Sequence, residues 1–232
     1  MQATHYPSAT RGTGEAGWLH TRYSFSFAHY FNPQRRGFGA LLVVNDDIVE
    51  PNNGFGLHHH DNMEIITVVL EGTLTHEDTA GNRGTLRAGE VQVMSAGSGI
   101  SHSEYNNTPD ERLALLQLWI QTKERGITPQ YAQKAFTFPE NTLVPVASGL
   151  ADTEALIMHQ DARVMLTILG EDGRATHTVG EGRGIFVFVI EGTCIAADTT
   201  LAARDALEIL NADEVVLEGA SGAQVMLVEV PM

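Results

Sequence analysis

Cysteine is almost absent: Cys194 stands alone in 232 residues. No disulfide can form within the chain, and the expectation is a reducing compartment, the cytoplasm. Positive charge is scarce too. Fourteen Lys and Arg against 29 Asp and Glu leave a formal charge of −15. Such a surface repels phosphate backbones and anionic headgroups, so neither direct nucleic-acid binding nor membrane docking is expected. Long apolar runs are missing. The stretch Ile185 to Ile190 is far too short to span a bilayer, and Met1–Pro7 lacks the basic flank and apolar core of a secretion signal. Helical periodicity is rare, the best case being Thr128–Lys134, with Thr128 as N-cap and Pro129 in the first turn. What remains is a soluble chain of ordinary composition, 43% apolar and 19% charged, long enough to bury a real core.

Strand signals fill that space. Tyr23–Ala28 alternates strictly, Phe38–Val44 and Glu64–Leu70 are apolar, Val91–Met94 alternates again, and Leu113–Ile120 forms another run. Turns rich in Gly and Asn separate them, among them Asn45-Asp46-Asp47, Pro51–Gly54, Glu71-Gly72 and Ala80–Asn82. Strands every eight to twelve residues predict an all-β barrel or sandwich. Residues 1 to 17, polar and Gly-rich, are expected to lie loosely on the surface. The second half repeats the first: Leu70-Glu71-Gly72-Thr73 recurs as Ile190-Glu191-Gly192-Thr193, an offset of 120. Pro139 and Pro145 bracket the expected boundary, giving domains 1–140 and 141–232.

The chemistry concentrates in Gly54–Glu64, which carries His58-His59-His60, and in Ser101–Glu104. On strands, side chains two apart share a face, so His58 pairs with His60 and His102 with Glu104. Three imidazoles and one carboxylate suit a divalent transition ion better than a thiolate set would. At the offset of 120, His58 falls on Thr178 and His60 on Gly180, while His177 lies one place out of phase. The second half is therefore expected to be a structural copy without a metal site. His59 should face away from the site, His76 reads as an interior or outlying histidine, and Cys194 as a small core residue.

The residues Gly54-Phe55-Gly56, His58-x-His60, Asp61–Glu64, Leu70-Glu71-Gly72, His76-Glu77-Asp78 and Met94–Gly97 running on to Gly99–Glu104 resemble the pirin family of bicupins. Closeness over residues 17 to 135 is greatest to the bacterial branch associated with quercetin 2,3-dioxygenase activity. The resemblance implies two cupin (jelly-roll) barrels with few short helices, of which only the first binds metal, through His58, His60, His102 and Glu104. Glu64, the carboxylate of the general cupin motif, is the rival fourth ligand. His59 replaces the proline or small residue common in the family. The implied function is ring opening of quercetin-like flavonols with O2 and release of carbon monoxide, with Glu104 as ligand and general base. Iron is the first expectation for the metal, ahead of Zn, Ni, Mn, Co or Cu. The alternative is a metal-dependent, redox-sensing regulator that binds partner proteins without turnover. A monomer is expected in either case.

Overall fold

The computed structural model describes residues 1–152 and 154–232. Among them every regular element is a strand except one 3-10 turn, Ser8–Thr10. Each half pairs a seven-stranded sheet with a four-stranded one. In the first half the large sheet runs, in spatial order, Gln130–Ala135, Glu90–Ser95, Met63–Glu71, Leu113–Gln121, Leu41–Val49, Leu19–Tyr23 and Gly12–Glu15. The small sheet runs Asn53–His60, Ile100–Asn106, Thr73–Asp78 and Arg83–Arg87. The second half repeats this arrangement around Arg183–Glu191 and Gln224–Pro231, with Gly173–Thr178 and Glu214–Gly219 in its small sheet.

The central strands read as continuous apolar runs because both of their faces are covered. In Leu113–Gln121, Leu116, Leu118 and Ile120 point toward the other half, joining Val164, Phe186, Phe188 and Val228 in one shared core. The alternate residues Leu113 and Leu115 point into their own barrel, beside Leu74 and Leu86. Burying each such side chain contributes roughly 1.5–3 kcal/mol, so the inter-barrel core is a main source of stability. The repeated hairpin carries Gly72 and Gly192, each at φ +78°. A side chain at Gly72 would also meet the Arg112 carbonyl at 2.3 Å, which is why glycine recurs there.

Several expectations require correction. Thr128–Lys134 is not helical: Gln130–Ala135 is an edge strand on Glu90–Ser95, with Tyr131 opposite Met94. Pairing with Glu90–Ser95 overrides the local N-cap signal. Asn45-Asp46-Asp47 makes no turn but continues the strand Leu41–Val49, where Asn45 and Asp47 are buried. Only Tyr23 of the Tyr23–Ala28 segment is in a strand. The first 17 residues are anchored: Gln2–Tyr6 pairs with Ala206–Leu210 of the second half, and Gly12–Glu15 with Leu19–Tyr23. Arg35 fixes this seam, lying over the Tyr6 ring at 3.5 Å and ion-paired with Glu208.

Candidate metal centre

The small sheet of the first half brings the histidines together. Ile100–Asn106 pairs with Asn53–His60 so that His102 lies opposite His58 and Glu104 opposite Phe55. Two residues lie between Phe55 and His58 where one lies between Glu104 and His102, so the Gly56-Leu57 stretch holds a bulge. Bulges re-aim side chains: Leu57 turns to solvent, and His58 and His60 turn inward. The ring centroids of His58, His60 and His102 lie 4.5 to 4.9 Å apart. Their donor atoms all fall within 4.8 Å of one another, and those of His76, His102 and Glu104 form a second such group. His102 is the hinge between the two.

The hydrogen bonds decide which nitrogens can act. His58 Nδ1 bonds to the Gly56 carbonyl at 2.8 Å, which leaves Nε2 with its lone pair. His60 Nε2 and His102 Nε2 are buried without any partner. His102 Nδ1 faces His76 Nδ1 at 3.5 Å, and His76 Nε2 faces Asp78 Oδ2 at 3.4 Å. A proton on His102 Nδ1 and one on His76 Nε2 satisfies this chain and keeps His102 Nε2 as a donor to a cation. Burial, with the neighbouring His102 and His58, holds the His60 imidazole down to about 4. Burial, with His58 and His76, holds that of His102 down to about 3. Both rings are neutral near pH 7, the state a metal requires.

Glu104 is 2% exposed. Its Oε1 accepts from Gln92 Nε2 at 2.7 Å and from Thr67 Oγ1 at 3.3 Å, and its Oε2 from Gln117 Nε2 at 2.7 Å. All three donors are neutral, and Glu104 belongs to none of the ion pairs among the described residues. A buried carboxylate without a cation is costly. An anion short of one positive charge, beside two partnerless buried imidazole nitrogens, fits a bound divalent cation.

Glu64 and His59 fall outside both groups, and His76 belongs only to the second, with His102 and Glu104. Glu64 is fully buried but accepts from Ser95 Oγ at 2.6 Å and belongs to neither donor group. Burial raises its carboxyl above the usual range. His59 is exposed and meets Ser101 Oγ at 3.3 Å. Both nitrogens of His76 are engaged, its ring stacked on Tyr131 at 4.2 Å. Trp119 stands edge-on to His60 at 4.8 Å, with Phe27 edge-on to Trp119 at 5.2 Å. Sequence reasoning missed Thr67, Gln92 and Gln117. Their signal was available: each is a polar residue flanked on both sides by apolar ones, as Ile66-Thr67-Val68, Val91-Gln92-Val93 and Leu116-Gln117-Leu118.

The family model described as Pirin matches residues 6–120, and that of the quercetinase C-terminal cupin domain matches residues 145–230. A protein of Escherichia coli (strain K12) named quercetin 2,3-dioxygenase is 39% identical over 95% of both chains. A pirin-like protein of Caulobacter vibrioides is also 39% identical, over 94% of this chain and 95% of its own. The crystal structure of YhhW from Escherichia coli superposes with a TM-score of 0.95 at 38% identity, covering 99% of this chain and 98% of that one. A second structure, the bacterial pirin YhhW in complex with nickel(II), gives 0.94 at 39% identity, covering 99% of each chain. No helix among the described residues is long and apolar enough to cross a membrane. With its two cupin barrels, this chain belongs to the pirin family.

Proposed function

We propose that this chain is a metal-dependent dioxygenase that opens the ring of quercetin-like flavonols with O2 and releases carbon monoxide. Its centre comprises His58, His60 and His102, with Glu104 as fourth donor, all within the 1–140 unit. Residues 141–232 form the companion barrel. The observation that carries the reading is the clustering of three imidazoles whose donor atoms lie within 4.8 Å of one another, one of which, His102, also lies within that distance of a buried carboxylate, Glu104, that has no cationic side chain. Relatives named for the same activity, 39% identical along 95% of the chain, support it, and the nickel complex of YhhW supports a divalent ion.

A divalent ion held there, iron or nickel first, supplies the Lewis-acid and redox chemistry that makes a flavonol reactive toward O2. The rest falls to the chain. Neutral His60 and His102 offer Nε2 without competition from protons. Oε2 of Glu104 accepts the flavonol 3-hydroxyl proton, and the edges of Trp119 and Phe27 provide an apolar wall against water.

The test gives purified protein loaded with iron(II), or separately with nickel(II), quercetin and 18O2. Carbon monoxide and a doubly labelled ring-opened ester are the expected products. Metal bound at one equivalent with no carbon monoxide from either form would remove the flavonol reading and leave the metal-dependent regulator.

A further inference from the structure

Glu104 is fastened by two amides, and each amide is itself constrained. On the Gln117 side the constraint is unambiguous. Indole Nε1–H is a donor and nothing else, and Trp119 Nε1 lies 3.1 Å from Gln117 Oε1. The Gln117 carbonyl is thereby turned to Trp119, and its NH2 can only face Glu104 Oε2, at 2.7 Å. Gln117 and Trp119 are two apart on one strand and so share the face that lines the barrel. On the other side, Gln92 Nε2 serves Glu104 Oε1 at 2.7 Å and Thr67 Oγ1 at 3.2 Å. The Thr67 hydroxyl donates a hydrogen bond to Oε1. The Tyr131 hydroxyl lies 3.1 Å from Gln92 Oε1 and 2.8 Å from Gln133 Oε1.

A carboxylate oxygen has two lone pairs. Oε1 uses both, on Gln92 and Thr67, whereas Oε2 uses one, on Gln117. We infer that Trp119, acting through Gln117, is a positioning residue that makes Oε2 the single working oxygen of Glu104. This inference rests on the metal-centre reading and extends it. Glu104 then offers one donor atom, and its roles as ligand and as proton acceptor alternate on that atom's one open lone pair. The same indole touches the His60 ring, so one side chain of the large sheet sets two of the four donors.

The experiment uses the full chain with nickel(II) as probe. Its dissociation constant is measured by chelator competition, and the bound carboxylate is read by infrared difference spectroscopy on 13C-Glu protein, with Glu104→Gln as the blank. Gln117→Leu removes the donor to Oε2. Trp119→Phe keeps a ring beside His60 but deletes the N–H. Wild type is expected to give a carboxylate band pair split as for a single-oxygen donor. Gln117→Leu should weaken nickel about 10–100-fold, the range for residues that orient ligands. Trp119→Phe should weaken it less and shift the same band pair, with no further effect in the Gln117→Leu background. If Gln117→Leu does not fold, the band shift in Trp119→Phe decides. A wild-type protein that binds no nickel overturns the metal centre and this inference together. Nickel binding with an unshifted Glu104 band in Trp119→Phe, or with additive effects in the double variant, overturns this inference alone.

Discussion

The two barrels share a framework and differ almost position for position inside it. From the offset of 120, Thr67 corresponds to Val187, and the pairings beside each carry the match outward. Gln92 and Gln117 flank Thr67 where Leu207 and Leu227 flank Val187. His76 corresponds to Ala196, so its partner Glu104 corresponds to Leu217, and His102 to Val215. Val215 in turn pairs with His177, as His102 pairs with His58. The expectation that His177 lies out of phase is therefore corrected: the Gly56-Leu57 bulge absorbs one residue, and His177 occupies the place of His58. Its Nε2 meets Glu229 Oε2 at 3.1 Å, and Glu229 corresponds to Trp119, since Ile65 and Ile185 pair with them. Where one barrel holds hydrogen-bonded amides around a carboxylate, the other holds Val187, Leu207, Val215, Leu217 and Leu227 in an apolar core. One interior surrounds its carboxylate with neutral amides, while the other sets its buried carboxylate, Glu229, among His177, Arg163 and Arg183 and fills the remaining positions with apolar side chains, on the same strands.

The largest expected effect breaks the comparison at its centre. His102→Ala should weaken nickel(II) or iron(II) binding by about 10³-fold or more, equivalent to ~4 kcal/mol, measured by metal content after gel filtration and by chelator competition. His177→Ala, at the place of His58 in the other barrel, should leave metal content unchanged. Equal losses in both variants would mean that the second barrel also takes part in binding.

Next in size is the reciprocal cut. Leu227→Ala removes a fully buried side chain from the filled barrel and should cost about 2–5 kcal/mol in urea unfolding. Its metal affinity should stay at the wild-type value. A Leu227→Ala protein as stable as wild type would show that this interior is not a packed core.

Much of this contrast was legible in the sequence. The parity of His58 with His60 and of His102 with Glu104 pointed to one cluster, and the structure brings the three imidazoles together with Glu104 beside His102. The expectation of a second half without a metal site rested on setting Thr178 and Gly180 at the places of His58 and His60, whereas the structure sets His177 at the place of His58. What the sequence hid has physical causes. A bulge leaves no mark beyond a Gly, so the register of His177 was misplaced by one. Gln92 and Gln117 lie on different strands, 25 positions apart in sequence, on either side of Thr67, and converge only on Glu104 of the facing sheet. Local capping chemistry at Thr128-Pro129 suggested a helix, because pairing with Glu90–Ser95 is invisible to any short window. The anchoring of residues 1 to 17 was missed for the same reason, since Gln2–Tyr6 finds its partner some 200 residues away.

Smaller, and confined to acid, is the effect of Glu229. Burial pushes its carboxyl up, but the hydrogen bonds from His177 and the Gly180 N–H, with the charges of His177 and Arg183, outweigh that and hold it near about 2. A folded value below the ordinary 4.5 means stability that is fully present above pH 4.5 and lost as pH falls toward 2. Urea unfolding of metal-free protein at pH 6 and pH 3 should show a loss in wild type that exceeds the loss in Glu229→Gln by about 1–2 kcal/mol. Equal losses would place the acid sensitivity elsewhere, for instance in Asp152 or Asp205, whose carboxyls are also held low.

The smallest effect separates the barrels by their redox chemistry. Cys194 corresponds to Leu74 of the first barrel, both fully buried in their respective interiors. Burial pushes its thiol up to about 11, so almost no thiolate exists near pH 7, and thiolate is the reactive form. Ellman's reagent should therefore fail to label folded protein over hours and label it at once in urea. Cys194→Val, close in volume and apolar, should cost less than about 1.5 kcal/mol. Rapid labelling of the folded protein would mean that the second barrel opens readily, and its interior would no longer be the rigid counterpart of the first.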